Sequence, residues 1–387
     1  MKALRKLLDN IKPHVSKGGR FEMFHSTYDA FETLLFVPDK TNKNGVHVRD
    51  AIDMKRTMIV VVLALVPALL FGIWNTGYQH FLAQGMEAGF WDMVLHGALR
   101  VVPIIVVSYG TGLGIEFIFA QIRGHEVNEG FLVSGMLIPL ILPVDIPLWM
   151  VVVATAFAVV IGKEIFGGSG MNIWNPALLA RAFLFFAYPA QMSGDIVWIS
   201  GFSGMEGVDA ATGATALGAA VAGNSDKFSI MESFLGVIPG SIGETSTLAI
   251  LLGALVLIYT GIGSWKVMTS VFAGGLLMGL VFNWLGAESS NGLMHISALQ
   301  HLTLGGFAFG AVFMATDPVS ASRTEAGKWI YGFLIGVFAV LIRVFNPAYP
   351  EGMMLAILLM NTFAPLIDHF VVEANIKRRL KRAVVKA

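Results

Sequence analysis

The architecture turns on the stretch FLVSGMLIPLILPVDIP at residues 131–147, together with VVVATAFAVVIGKEIFGGSG at 151–170 and MNIWNPALLARAF at 171–183. An apolar run reaches an Asp–Pro-containing turn, a Val/Ile run ends in a Gly-rich break, and a helix then opens on Asn and Pro. The same order returns as FAFGAVFMATDPVSAS at 307–322, FLIGVFAVLIRVFNPAYPEG at 333–352 and MMLAILLMNTFAP at 353–365. Shared breaks carry more information here than shared apolar residues, since any two apolar halves look alike. A repeat of this kind marks a chain built from two related halves.

Around that stretch the composition is that of a membrane protein. Of 387 residues, 55% are apolar, only 13% are charged, and the mean hydropathy is +0.70. A soluble domain carries about 25% charged residues. A hydrocarbon core of about 30 Å needs roughly 17–25 apolar residues as helix. The runs at 57–74, 96–119, 127–143, 148–163, 176–189, 245–261, 265–285, 299–316, 328–345 and 352–370 meet or approach that length. None alternates strictly as a barrel strand does, so helices are expected. The expectation is an all-α polytopic membrane protein of about ten transmembrane helices. Five per half is odd, so the halves are expected as two inverted five-helix repeats with interrupted helices.

Charge orients the bundle. The segment 1–56 is a basic tail, and 371–387 ends in Lys377, Arg378, Arg379, Lys381, Arg382 and Lys386. An even helix count puts both in the cytoplasm. Arg123, Lys163, Lys266, Arg323 and Lys328 fall on turns of that side, and Arg100, Lys227 and Arg343 on opposite loops. The repeats then occupy 57–189 and 245–370, and the polar Gly-rich segment 190–244 faces outward. Leu4, Leu7, Leu8 and Ile11 recur at helical spacing among lysines, giving a short amphipathic helix for a membrane surface or a partner. No h-region of a cleavable signal peptide is visible. Net charge is zero, so no nucleic-acid partner is expected. The absence of Cys excludes disulfides, cysteine-held iron–sulfur clusters and a thiol nucleophile from this chain. The nine His show no metal spacing and are expected solvated or interfacial.

Three features carry chemistry. Gly167, Gly168, Ser169 and Gly170 break the chain before Asn172, Asn175 and Pro176, and an Asn cap followed by Pro is a helix start. Within the membrane, its free N–H groups would face a ligand; at the surface it is an ordinary capped helix. Glu116 lies in an apolar run, where a carboxylate is costly. It could bind a sodium ion, pass a proton or pair with Arg123. Asp317, Glu325 and Asp368 fall near helix ends as solvated caps, with Asp317 alternatively an ion ligand, and Arg181 is expected to meet a carboxylate or an oxygen of a bound ligand. The third feature is Asp209-Ala210-Ala211-Thr212-Gly213-Ala214-Thr215, whose terminal hydroxyl follows two very small residues.

That seven-residue run fits the flavinylation signature D-x-x-S/T-G-A-T/S. With Gly124-His125-Glu126-Val127-Asn128-Glu129-Gly130-Phe131, Gly162–Gly168 and Gly170–Leu178, the chain resembles the B subunit of the sodium-translocating NADH:quinone oxidoreductase of bacteria. The resemblance covers nearly the whole chain, including Phe21–Pro38. The related D subunit of the Rnf ferredoxin:NAD complex shares the signature but typically lacks so long a tail. The resemblance implies FMN joined by a phosphoester to Thr215 by a flavin transferase. Gly213 and Ala214 would leave room for it, and Asp209 and Thr212 would help recognition or polarise the phosphate. It further implies a non-covalent riboflavin, assigned to Asn172 and Asn175, and a ubiquinone site, sought at Gly112 and Phe131, where Gly112 and Gly114 would open a groove. Electrons would pass from FMN through riboflavin to ubiquinone, coupled to sodium export. The partners would be the A, C, D, E and F subunits and membrane lipid, in the bacterial inner membrane. No strand–G-x-G-x-x-G–helix unit is present, so the NADH site is expected on another subunit. The rival class is a non-redox inverted-repeat transporter or channel.

Overall fold

The computed structural model describes residues 2–16, part of 19–52, and 54–384 apart from 124–129, 202–212, 225–226, 287–288, 290 and 347–349. All regular structure among them is helical. An amphipathic helix α1 (Lys2–Val15) is followed by α2 (Met54–Ala83), α3 (Phe90–Arg123), α4 (Phe131–Leu140) and α5 (Leu148–Val159), which runs on as a π turn, Val160–Glu164. Next come α6 (Pro176–Ala187), the short α7 (Ala216–Val221) and α8 (Ile230–Leu235), then α9 (Thr247–Tyr259) and α10 (Trp265–Leu285). The chain closes with α11 (Ala298–Thr303), α12 (Phe307–Phe309, then a π turn Gly310–Met314), α13 (Glu325–Phe345) and α14 (Met353–Val384).

Each of the ten apolar runs contains helix, and the chain is a polytopic membrane protein. Five helices, α2, α3, α10, α13 and α14, are long and apolar enough to cross alone. The others are shorter. The run at 299–316 is split, because Gly305 takes a left-handed φ of +63° between α11 and α12. The carbonyls freed at this break do not stay unpaired. Arg343 donates to His301 O at 2.8 Å and Leu304 O at 3.1 Å. Arg343 was expected on a loop; it is fully buried in α13 because those carbonyls need donors where water is absent.

The two halves pack alike and run in opposite senses. α3 and α5 end together, where Arg123 meets Glu164 at 2.9 Å. Their counterparts α10 and α13 also lie parallel: Lys266 pairs with Glu325 at their starts, and Phe282 meets Phe345 at their ends. Between halves, α2 and α9 cross antiparallel at glycines. A Cβ on Gly72 would lie 2.0 Å from Ile242 O, and one on Gly253 would lie 2.3 Å from Ala64 O. Only glycine permits such backbone approach, the usual device where lipid gives helices no hydrophobic reason to associate. α6 begins beside the end of α12, and α14 begins beside the start of α9.

The small N-terminal unit has its own core. Leu8 and Val15 of α1 pack with Tyr28 and Phe36, while Ile11 is exposed. Lys12 and Arg5 both reach Glu32, at 3.0 and 3.2 Å.

Candidate functional site

Two cavities open at opposite ends of the bundle, each at an interrupted helix. The first, about 330 Å³, lies where α6 starts. Gly167, Gly168 and Gly170 take φ of +119°, +97° and +89°, which turns the chain back sharply after the π turn of α5. Asn175 then caps α6: its Oδ1 accepts from Ala177 N at 3.0 Å and Leu178 N at 3.3 Å, with Pro176 in the first position. Its Nδ2 reaches Asp317 Oδ2 at 3.5 Å, across from the other half. Asn172 donates to Trp174 O at 2.9 Å. Both asparagines, Lys163, Ser169 and Asp317 line the cavity, against apolar walls from Leu137 and Phe313. The donor set suits a flat ligand with both donors and acceptors on its edge, as a flavin ring has. Asn175, however, spends its acceptor on the cap.

Glu116 lies beside this cavity, buried and paired with the buried Lys163. Arg123, the partner weighed from the sequence, instead binds Glu164. Lys163, expected on a turn, is drawn inward because a carboxylate held away from water needs a nearby cation. Asp317 is no solvated cap either; it accepts from Ser320 Oγ at 2.7 Å and Val319 N at 3.1 Å beneath the cavity. Glu325 is exposed, and Asp368 accepts from the backbone of Arg323 and Thr324 at the start of α13.

Gly112 and Phe131 do meet, but on each other. A Cβ on Gly112 would lie 1.9 Å from Phe131 Cζ, and Phe131 is buried. The groove sought for a quinone ring at Gly112 is therefore filled by Phe131. The other half repeats the contact, since a Cβ on Gly275 would lie 2.3 Å from Phe307 Cζ. The pair is a packing device of the fold. A Cβ on Gly114 would meet open space.

The second cavity, about 210 Å³, holds Thr215 on its wall with Phe185, Trp198, Ser241, Glu244 and Glu351. Thr215 caps α7, its Oγ1 accepting from Gly218 N at 3.1 Å. Ala214 is buried, and a Cβ on Gly213 would lie 2.2 Å from Asp195 O. The smallness of Gly213 thus serves the fold first, since the neighbouring backbone takes the space expected for a nucleotide. Asp209, Thr212 and Gly124–Glu129 lie outside the described residues. Below the cavity Arg181, buried, meets carboxylates as expected: Glu244 through both oxygens at 2.8 and 2.9 Å, and Glu351 at 2.5 Å. Ser241 Oγ lies 3.3 Å from the same guanidinium.

One histidine departs from expectation, while His14, His25, His47, His295 and His369 are exposed. His301 is buried, and His80 and His96 stack with their centroids 3.8 Å apart. No group of metal-binding side chains occurs among the described residues. Neither Lys163, Glu244, Glu351 nor the stacked histidines were picked out from the sequence; only the intramembrane position of Glu116, which demands a partner, hinted at one of them.

Comparison with known proteins bears on all of this. Residues 41–377 match the NQR2, RnfD, RnfE family model. The chain is 51% identical to the B subunit of the Na(+)-translocating NADH-quinone reductase of Stutzerimonas stutzeri, over 98% of this chain and 100% of that protein. It is 50% identical to the protein of the same name from Chromohalobacter salexigens (98% and 96%) and 49% to that from Pseudomonas aeruginosa (98% and 99%).

Proposed function

The chain belongs to the NQR2, RnfD, RnfE family, and from that premise we propose that it is the subunit that carries electrons from covalent FMN on Thr215, through riboflavin, to ubiquinone. It is the membrane-embedded B subunit of a sodium-translocating NADH-quinone reductase, an oxidoreductase complex. Matching over 98% of the chain takes in most of the basic tail, which supports the quinone-reducing complex over the Rnf type.

The observation that carries the reading is Thr215 itself: the last residue of D-A-A-T-G-A-T, on the wall of a cavity also lined by Glu244 and Glu351, the two carboxylates that Arg181 holds. Its hydroxyl is the phosphate acceptor, and the tight packing of Gly213 on Asp195 keeps that hydroxyl in one place. Asn172, Asn175, Ser169 and Lys163 would hold riboflavin at the opposite cavity through its polar edge. The flavins, when bound, supply the electron chemistry, and this chain fixes their distance, orientation and local field. Glu116 and Lys163 keep a paired charge beside the riboflavin cavity, where Glu116 would handle the coupling ion or a proton. Orientation follows the charge rule, with both termini cytoplasmic and Thr215 outside, where the flavin transferase and the neighbouring flavoprotein subunit would meet it.

The test is the flavin on the purified complex, made in cells that express the transferase. A fluorescent subunit band and an intact mass raised by one FMN are expected, and both vanish in Thr215→Ala. Alanine also removes the α7 cap, worth about 0.5–2 kcal/mol. Thr215→Asn keeps a capping acceptor without a phosphate acceptor, so it should assemble and stay dark, while Thr215→Ser should stay bright. A dark wild-type band overturns the reading.

A further inference from the structure

His80, near the end of α2, and His96, in α3, stack ring on ring at 13°. Both hold the same residue. His80 Nδ1 lies 2.6 Å from the carbonyl oxygen of Ser200, and His96 Nε2 lies 3.1 Å from its hydroxyl. The next residue, Gly201, has φ +72° and donates its N–H to Asp145 Oδ2 at 2.7 Å, from the turn between α4 and α5. Ser200 is fully buried by this grip. Carbonyl, hydroxyl and following amide are thus each taken by a side chain from a different element.

What is gripped is the bed under the proposed flavin site. Gly213 lies directly on the Asp195 carbonyl and 3.3 Å from Ile199 Cδ1, by the place its Cβ would occupy. Thr215 follows two residues later. Residues 195–201 therefore set where Thr215 sits, and the grip on Ser200–Gly201 sets where residues 195–201 sit. Nothing in the sequence pattern marks this link, because His80, Asp145 and Ser200 are far apart along the chain.

We infer that His80, His96 and Asp145 are positioning residues for Thr215, a latch that holds its bed through the carbonyl and hydroxyl of Ser200 and the amide of Gly201. The inference rests on the reading of Thr215 as the flavin anchor. His80 must donate from Nδ1 to a carbonyl, which either charge state allows. His96 in its neutral form can accept from the Ser200 hydroxyl, and it stacks on His80 without repulsion. The groups that face the pair are Arg100 of α3 and Asp145, with Phe81 edge-on to both rings. Burial pushes the Asp145 carboxyl above its usual range, against the pull of the Gly201 amide. Asp145 therefore gains its proton earlier than an exposed carboxylate as pH falls, which loosens the same bed.

The experiment uses the complex purified without its flavin transferase, then supplied with transferase and FMN donor, with covalent FMN followed as band fluorescence. Wild type is compared with His80→Gln/His96→Gln as a ratio of rates. The double variant should load about fivefold more slowly near pH 8, and its Gly201 amide should exchange about tenfold faster. Ser200→Ala, which leaves both rings in place, should load about twofold more slowly near pH 8. Equal loading rates near pH 8 overturn the inference. If wild type takes no FMN, the Thr215 reading has failed instead, and hydrogen exchange of the Gly201 amide decides the latch. About tenfold faster exchange in the double variant near pH 8 supports it, and unchanged exchange overturns it.

Discussion

At the end of the bundle where α3 and α5 finish, the buried carboxylates each have one cation: Glu116 the buried Lys163 and Glu164 the exposed Arg123. At the opposite end, one guanidinium, Arg181, is shared by Glu244 and Glu351, and Arg343 lies alongside with its donors on backbone carbonyls. The first arrangement can lose a partner and strand one charge. The second strands two. A one-to-one pair suits a site where one charge is to be compensated and released, and a shared network suits a fixed floor beneath a reactive hydroxyl. The two cavities, each at a helix break, are thus set up for different work.

The largest effect should come from Arg181→Met. Breaking one buried ion pair costs about 3–5 kcal/mol, and here two carboxylates lose their cation together. Little assembled complex is expected in detergent extracts, with recovery when Glu244→Gln and Glu351→Gln are added. Normal melting of Arg181→Met alone would show that the floor is no network. Next in size is Lys163→Met, with a cost of about 3–5 kcal/mol from one stranded carboxylate. Adding Glu116→Gln should restore the melting temperature. If Glu116 handles the coupling ion, that rescue restores assembly without sodium transport. A single Glu116→Gln variant with normal quinone reduction and sodium transport would remove the role.

Smallest is Gly112→Ala, which drives a methyl into Phe131. Overpacking of this kind costs about 1–3 kcal/mol, and Phe131→Leu should relieve it. Gly275→Ala, against Phe307, should cost about the same, because the contact recurs in the other half. If Gly112→Ala alone raises KM for quinone, the two ends differ at this position after all, and the quinone assignment regains its ground.

Local features were legible. Asn175–Pro176 was expected as a helix start and is one, because a cap is made among residues two or three apart. The repeat was read from its breaks, and those breaks are where both cavities lie. Gly112 and Phe131 were rightly brought together, yet as a ligand groove. Pattern can say that a small residue faces a large one but not that the large one fills the space. Glu116 was flagged by its surroundings, while the one partner weighed for it, the nearest arginine along the helix, pairs elsewhere. Lys163, 47 residues on, was closer in space.

The candidacy of Thr215 as the modified hydroxyl rests on the resemblance of its seven-residue run to a flavinylation signature, whereas membrane class, the helical stretches and their breaks follow from the order of residues alone. In hydrocarbon the backbone must satisfy its own hydrogen bonds within each segment, so composition and local order suffice for these. Which charges pair, that Arg343 closes the break at Gly305, and that two histidines grip the bed of Thr215 emerge only once the helices are packed. A buried charge or carbonyl can be compensated by any suitable group within reach, and packing between helices, not spacing along the chain, sets that reach.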